Sequence, residues 1–228
     1  MKIGIIAAMR VEAEALLAEM AEKKETAVSG MTFTEGRLAD IDTVLAVCGE
    51  GKVNAAVCTQ TMILLFHPDK ILNTGVAGAL SSTLKVPDVA VATATVEHDY
   101  DLSPLGYSKG TVLIGGKEVR GYPCDGDLTE KLTEAAREAK VHAEAGVVVS
   151  GDLFVADETL KSALREDFSG VACEMEGGAI GHVCYQNGIP YGVIRAVSDT
   201  ADDGRKFDPV SASAISVDLT LRLLRKLL

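Results

Sequence analysis

The sequence predicts a single α/β domain of three layers, a central mixed β-sheet flanked by helices. Three observations carry this prediction. Short apolar runs of strand type alternate with helix-type segments through most of the chain. No Pro- or Gly-rich linker divides it, and no period of roughly 20–50 residues repeats. With 228 residues, 47% hydrophobic and 24% charged, the chain can also bury a substantial core as one domain over residues 1–228.

The elements follow in order. Residues 2–8 (KIGIIAA) form an almost unbroken apolar run, as expected of a strand covered on both faces. Glu12, Ala15, Leu16 and Met20 then fall at helical spacing. Residues 31–37 and 43–48 read as two strands, with Gly30 as a turn or bulge position. The glycines of 49–51 punctuate, and the Ala-, Val- and Leu-rich stretch 53–66 reads as a buried helix. Residues 70–74 return to strand and end at the glycine-rich segment 75–79 (GVAGA). A Val- and Thr-rich strand is expected over 88–97, then loop with short strands over 98–126.

Asp127 is expected to cap a helix, with Glu130 completing a capping box. Residues 144–150 read as a strand, Asp157 as the cap of a short helix through 164, and 171–173 as a short strand. Residues 176–185 keep helical spacing despite Gly177, Gly178 and Gly181, and 192–197 is a further strand. Asp208 followed by Pro209 starts a last helix to residue 228, with Leu219, Leu223 and Leu227 on one side.

Charge narrows the partners. Against 33 acidic residues stand 22 Lys and Arg, a formal net charge of -11, so a nucleic-acid backbone is repelled. The five cysteines form no CxxC pair, which fits reduced thiols of a cytoplasmic protein. Acidic residues come too early for a secretory signal, and the apolar runs are too short or interrupted to span a bilayer. His98, Asp99, Tyr100 and Asp101 look superficially like metal ligands. The four histidines are scattered and no second ligand cluster accompanies them, so a loop or dimer contact is expected instead.

Ligands of α/β sheets collect at the carboxyl ends of strands, here the loops after Ala7, Cys48, Thr74, Ser150, Cys173 and Val197. Polar groups wait there: Glu12, Ser150, Asp152, Glu174, Glu176, Ser198 and Asp199. Carboxylates from separate loops that meet in an apolar crevice acquire raised pKa values and serve as general acid and base. Taken singly, each has a second reading. Asp199 is also a turn cap, Glu12 a solvated helix residue, and Glu174 or Glu176 a surface charge. Gly75 to Gly78 reads either as a close backbone approach to a ligand or as a tight turn. Neither it nor Gly49-Glu50-Gly51-Lys52 matches a phosphate loop.

The combination is more specific than its parts. MKIGIIAAM with Glu12, GEGKVNAA, NTGVAGAL, VSGD with Phe154, CEMEG and RAVSD occur in this order. The chain thereby resembles the 5'-methylthioadenosine/S-adenosylhomocysteine nucleosidases of the nucleoside phosphorylase superfamily, from Met1 to about Leu228. The resemblance implies a nucleoside phosphorylase-like fold and hydrolysis of the N-glycosidic bond of an adenine nucleoside, with water as co-substrate and no cofactor or metal. It implies Asp199 as the acid at purine N7, positioned by Ser198, and Glu12 as the base for water. Glu176 would bind the ribose hydroxyls with Met175 packed on the sugar. Phe154 would stack on adenine, the Val155 backbone would read the base edge, and Phe207 would cover it. Met9 would line the 5' side. Val76, Ala77, Gly78, Glu174, Arg195 and Glu50 complete the implied binding set. A homodimer is implied too, the partner closing the 5' pocket through the segment matching 102–113.

The chemistry accounts for these residue types. The bond breaks through an oxocarbenium-like sugar, so adenine needs a proton at N7, the sugar needs nearby negative charge, and water needs a base. Phosphorolytic relatives carry an arginine loop near the first strand. Here that region reads AAMRVEAE, and the Glu12 carboxylate repels phosphate and suits water, although Arg10 and Arg195 leave phosphate open. Three departures from the family stand out: Val76 in place of a serine, Glu50 in place of an apolar residue, and a slightly short loop over 200–206. Glu50 either meets a polar or amino-bearing 5' group or turns away. Two alternatives remain at this stage. One is a hydrolase or phosphorylase of another purine nucleoside, futalosine-like substrates included. The other is a nonenzymatic nucleoside-binding protein, against which Glu12, Glu176 and Asp199 speak.

Overall fold

The computed structural model describes residues 1–202 and 207–228. The first half of the chain runs β1 (Lys2–Ala7), α1 (Arg10–Glu19), β2 (Ala21–Val28), β3 (Met31–Leu38), β4 (Ile41–Val47), α2 (Lys52–Phe66), β5 (Lys70–Ala79) and β6 (Val89–Glu97). Short strands β7 (Thr111–Ile114), β8 (Lys117–Arg120) and β9 (Tyr122–Pro123) follow. Then come α3 (Gly126–Glu138), β10 (Ala143–Ser150), α4 (Glu158–Phe168), β11 (Gly170–Glu174), α5 (Gly177–Asn187), β12 (Tyr191–Asp199) and α6 (Pro209–Lys226).

The strands order as β11-β10-β6-β12-β5-β1-β4-β3-β2, with β9 on β6. Parallel neighbours β1–β4, β1–β5, β5–β12 and β6–β10 make the centre, and antiparallel pairs make the β2–β3–β4 edge. The sheet curls until β11 meets the far end of β5, pairing Ala172 with Ala79 and Cys173 with Gly78. The carboxyl ends of β5, β11 and β12 are thereby drawn around one crevice.

Strand alternation explains the layers. In β1, Ile3, Ile5 and Ala7 pack with Leu16 of α1 and Leu221 and Leu224 of α6, while Ile6 points the other way onto Met62 and Phe66 of α2. Helices α2 and α5 cover one face; α1, α3 and α6 cover the other. Leu219 and Leu223 are fully buried against Leu128 and Leu132 of α3, and Leu227 packs beside them, which is the stripe expected of the last helix.

Three expectations are corrected, and one strand is added. Strand β2 was not foreseen, because AEKKETAV is an exposed, charge-rich edge strand without an apolar face. The cap of α3 is Asp125, not Asp127: Asp125 Oδ1 accepts from Leu128 N at 3.0 Å. Asp127 sits inside the first turn and pairs with Lys131 and with Lys70. Strand β5 does not stop at Thr74 but runs through Gly75, Val76, Ala77 and Gly78, with β12 alongside in register. Likewise β12 continues through Ser198 to Asp199. The caps Asp157 and Asp208 are as expected, accepting from Leu160 N and Ser211 N. No described helix is long and apolar enough to cross a membrane.

Candidate active site

Glu12 stands at the third position of α1, immediately after β1. Its Oε2 accepts from the Ala8 and Met9 amides at 2.9 and 2.8 Å, and its Oε1 accepts from the Val76 amide of β5 at 3.0 Å. The side chain therefore folds back over the start of its own helix, and the residue is only 1% exposed. Burial raises the pKa of this carboxyl, against the opposing pull of the Arg195 guanidinium and the three amides.

Arg195 lies inside β12, directly opposite Gly75 of β5. Its Nη2 donates to Asn73 Oδ1 at 2.5 Å, to Glu174 Oε2, and to Glu176 Oε2 at 3.3 Å. Glu174 also accepts from Ser150 Oγ and from the amides of Glu176 and Gly177, at 3.1 and 2.8 Å for the amides. Glu176 Oε1 accepts from Gly51 N at 2.8 Å. One buried guanidinium thus faces three buried carboxyl groups, Glu12, Glu174 and Glu176. Burial pushes Glu176 up to about 7, resisted by Arg195 and reinforced by the charges of Glu174 and Glu12.

Asp199 ends β12, also buried. Its Oδ2 accepts from Ser198 Oγ at 3.1 Å and its Oδ1 from Ala201 N at 2.9 Å. The turn-cap reading of this residue holds, and the turn fixes its carboxyl at the edge of the crevice. At the mouth the Phe154 and Phe207 rings meet edge to face, centroids 5.6 Å apart. Both rings are about half exposed.

These groups line one cleft of about 610 Å³, including its open mouth, a size suited to a small molecule. The residues of the implied site all border it: Glu12 and Asp199; Met9, Glu50, Val76, Ala77 and Gly78; Phe154 and Val155; Glu174, Met175 and Glu176; Arg195, Ser198 and Phe207. Two other strand-end candidates do not border the cleft: Ser150 donates to Glu174 behind the wall, and Asp152 accepts from Lys52 N. Ala8, Leu153 and Cys173 border it too and were missed. Each is the immediate neighbour of a residue already chosen, which is the signal that pointed to them. Glu50 is exposed at the rim and has no charged partner among the described residues, while its carbonyl accepts from Asn54 Nδ2 at 2.7 Å. The surface-charge reading fails for Glu174 and Glu176, and the solvated-helix reading fails for Glu12. Of the loop over 200–206, whose shortness is expected from the sequence, residues 203–206 lie outside the described residues.

Arg10, the other arginine considered near the nucleophile, turns outward. Its side chain is 82% exposed and lies 3.9 Å from Glu14. Asp99 accepts from Lys52 Nζ at 2.6 Å, a contact between the loop beyond β6 and the start of α2.

The sequence model of the Phosphorylase superfamily matches residues 2–228. A 5'-methylthioadenosine/S-adenosylhomocysteine nucleosidase of Glaesserella parasuis serovar 5 is 37% identical over 203 residues, covering 89% of this chain and 87% of that protein. The crystal structure of the nucleosidase of the same name from Neisseria meningitidis, in complex with methylthio-immucillin-A, superposes with a TM-score of 0.93 at 37% identity, over 99% of both chains. A futalosine hydrolase of Helicobacter pylori superposes with a TM-score of 0.92 at 32% identity, over 99% of this chain and 97% of that one.

Proposed function

The chain belongs to the 5'-methylthioadenosine/S-adenosylhomocysteine nucleosidase family of the Phosphorylase superfamily, and from that premise we propose that it hydrolyses the N-glycosidic bond of these two nucleosides. The products are adenine and the thio-substituted ribose. One observation carries the reading: buried carboxyl groups from three separate strand ends, Glu12, Glu176 and Asp199, face a single cleft.

In this reading the residues take the roles that the resemblance implies, and the geometry supports them. Asp199, fixed by Ser198 Oγ and the Ala201 amide, supplies the proton that N7 of the departing purine takes up. Phe154 and Phe207 hold the base, with the Val155 backbone at its edge. Glu176 binds the ribose hydroxyls, with Met175 against the sugar. Glu12 draws a proton from water as the water oxygen bonds to the anomeric carbon. Negative charge around Arg195 favours the cationic sugar as the bond to adenine breaks. Val76 leaves water recognition to the Glu12 carboxylate and its surrounding amides.

Water is favoured over phosphate as nucleophile because neither arginine presents a free guanidinium inside the cleft. Arg10 points to solvent and Arg195 is committed to Glu174 and Glu176. The test is adenine release from methylthioadenosine with and without phosphate, with the sugar product identified. Phosphate-independent release of free methylthioribose is expected; a requirement for phosphate refutes it. A second reading, a hydrolase of a purine nucleoside with a polar 5' group, draws on Glu50 at the rim and is tested by adding such nucleosides to the panel.

The working unit in this reading is a twofold dimer in the cytoplasm. The exposed side of α2 carries Val53, Val57, Leu64 and Leu65, and Leu105 and Leu113 of the 102–113 segment are exposed as well. Analytical ultracentrifugation checks it: a dimer supports the arrangement, and a monomer at assay concentrations removes the shared 5' pocket.

A further inference from the structure

Helix α2 begins without a cap of its own. Its N-cap is Gly51, at φ 95°, which has no side chain to offer the first-turn amides. The missing acceptor comes from another loop: Asp152, beyond β10, accepts from Lys52 N at 2.7 Å through Oδ1. The Asp152 amide in turn donates to Asp99 Oδ2 at 2.9 Å, in the loop beyond β6. Asp99 Oδ1 closes the ring by accepting from Lys52 Nζ at 2.6 Å, and that ammonium also lies 3.4 Å from Glu97 Oε2.

Lys52 thus uses both its nitrogens to tie three loops together. Its side chain is only 16% exposed, so this pair is shielded far better than an ordinary surface ion pair. Lys52 does not itself border the cleft. The residue before it does something there: Gly51 N donates to Glu176 Oε1 at 2.8 Å.

We propose that Lys52 is a positioning residue for Glu176, holding the Gly51 amide on the carboxyl that binds the ribose by means of its ring with Asp152 and Asp99. This inference rests on the role given to Glu176 above. A carboxyl that must grip two hydroxyls in one geometry needs both its oxygens held in place, here Oε1 by the Gly51 amide and Oε2 by Arg195, and displacement by about 1 Å is costly for a reacting site. The groups that face Glu176 are Arg195 from β12, Glu174 from β11, Glu12 from α1 and Cys48 beyond β4. Arg195 and the Gly51 amide favour its ionised form; Glu174 and Glu12 oppose it. Loosening the Gly51 amide therefore moves its titration upward.

The test is Lys52→Met in the full chain, assayed by adenine release from methylthioadenosine across pH. Expected are a rise in KM of about tenfold, the equivalent of one hydrogen bond to a charged group, and a smaller change in kcat. The acidic limb of kcat/KM should shift to higher pH, and Lys52→Arg should restore both. A lower Tm with KM and the limb unchanged would make Lys52 a stabilising residue only, and overturn the proposal. Should the Met variant not fold, Asp152→Ala opens the same ring at the cap; the same rise is expected, with recovery in Asp152→Asn, and an unchanged KM in Asp152→Ala overturns the proposal equally. A wild-type enzyme that releases no adenine refutes instead the hydrolase reading on which the proposal stands.

Discussion

Replacing Gly75 with alanine probes the crowding on which the site depends. Gly75 is an interior residue of β5, opposite Arg195, and a methyl group built on it lies 2.5 Å from Arg195 Nη1 and 2.5 Å from Glu12 Oε1. Ordinary contact begins near 3.4 Å, so each group must retreat by about 0.9 Å. Neither is free to do so. Glu12 is pinned by the Ala8, Met9 and Val76 amides, and Arg195 by Asn73, Glu174 and Glu176. Overpacking of this kind costs about 1–3 kcal/mol, which for a chain of this length lowers Tm by roughly 2–12 °C. Displacing the carboxylate proposed to activate water should lower kcat/KM about 100-fold. Thermal unfolding and adenine release measure the two effects separately. The loss of activity should also shrink when Glu12 is already Gln, because the methyl acts through that side chain. An alanine variant with parental kcat/KM and parental Tm would refute the claim that Gly75 is kept small by Glu12 and Arg195.

Three further outcomes are expected. Asp199→Asn keeps the turn at Ala201 but cannot give up a carboxyl proton, so kcat should fall by about 10²–10⁴ with little change in Tm, and parental kcat removes Asp199 from the acid role. Glu176, raised from 4.5 to about 7 by burial, keeps a proton in the folded chain that the unfolded chain releases. Its contribution to stability is therefore complete below pH 4.5 and is lost as pH rises to about 7, a change on the order of 3 kcal/mol. Urea unfolding of the parent and of Glu176→Gln across that window reads it, and equal slopes in the two proteins would contradict the assignment. Glu50→Ile removes an unpaired charge from the rim and should tighten methylthioadenosine binding about fivefold, seen in KM; an unchanged KM would show that the carboxylate faces away from the 5' group.

Local signals in the chain were enough for much of the framework. The run of Ile3, Ile5 and Ile6 announces a strand buried on both faces, and Asp157 and Asp208 announce helix starts, because strand alternation and capping depend on near neighbours. The ordered motifs around Glu12, Glu176 and Asp199 named residues that do converge on one cleft. Local reading failed where the deciding partner is far away along the chain. The glycines of 75–78 look like a turn until β12 is laid beside them, when each fills a place in a strand and Gly75 makes room for Glu12 and Arg195. The edge strand β2 is made by pairing with β3, and its own charged sequence carries no apolar alternation to reveal it. Local pattern alone likewise favoured water over the interior for Glu12, Glu174 and Glu176. Only the tertiary structure decided for burial, because the guanidinium and backbone amides that satisfy those carboxyl groups arrive from other strands and loops.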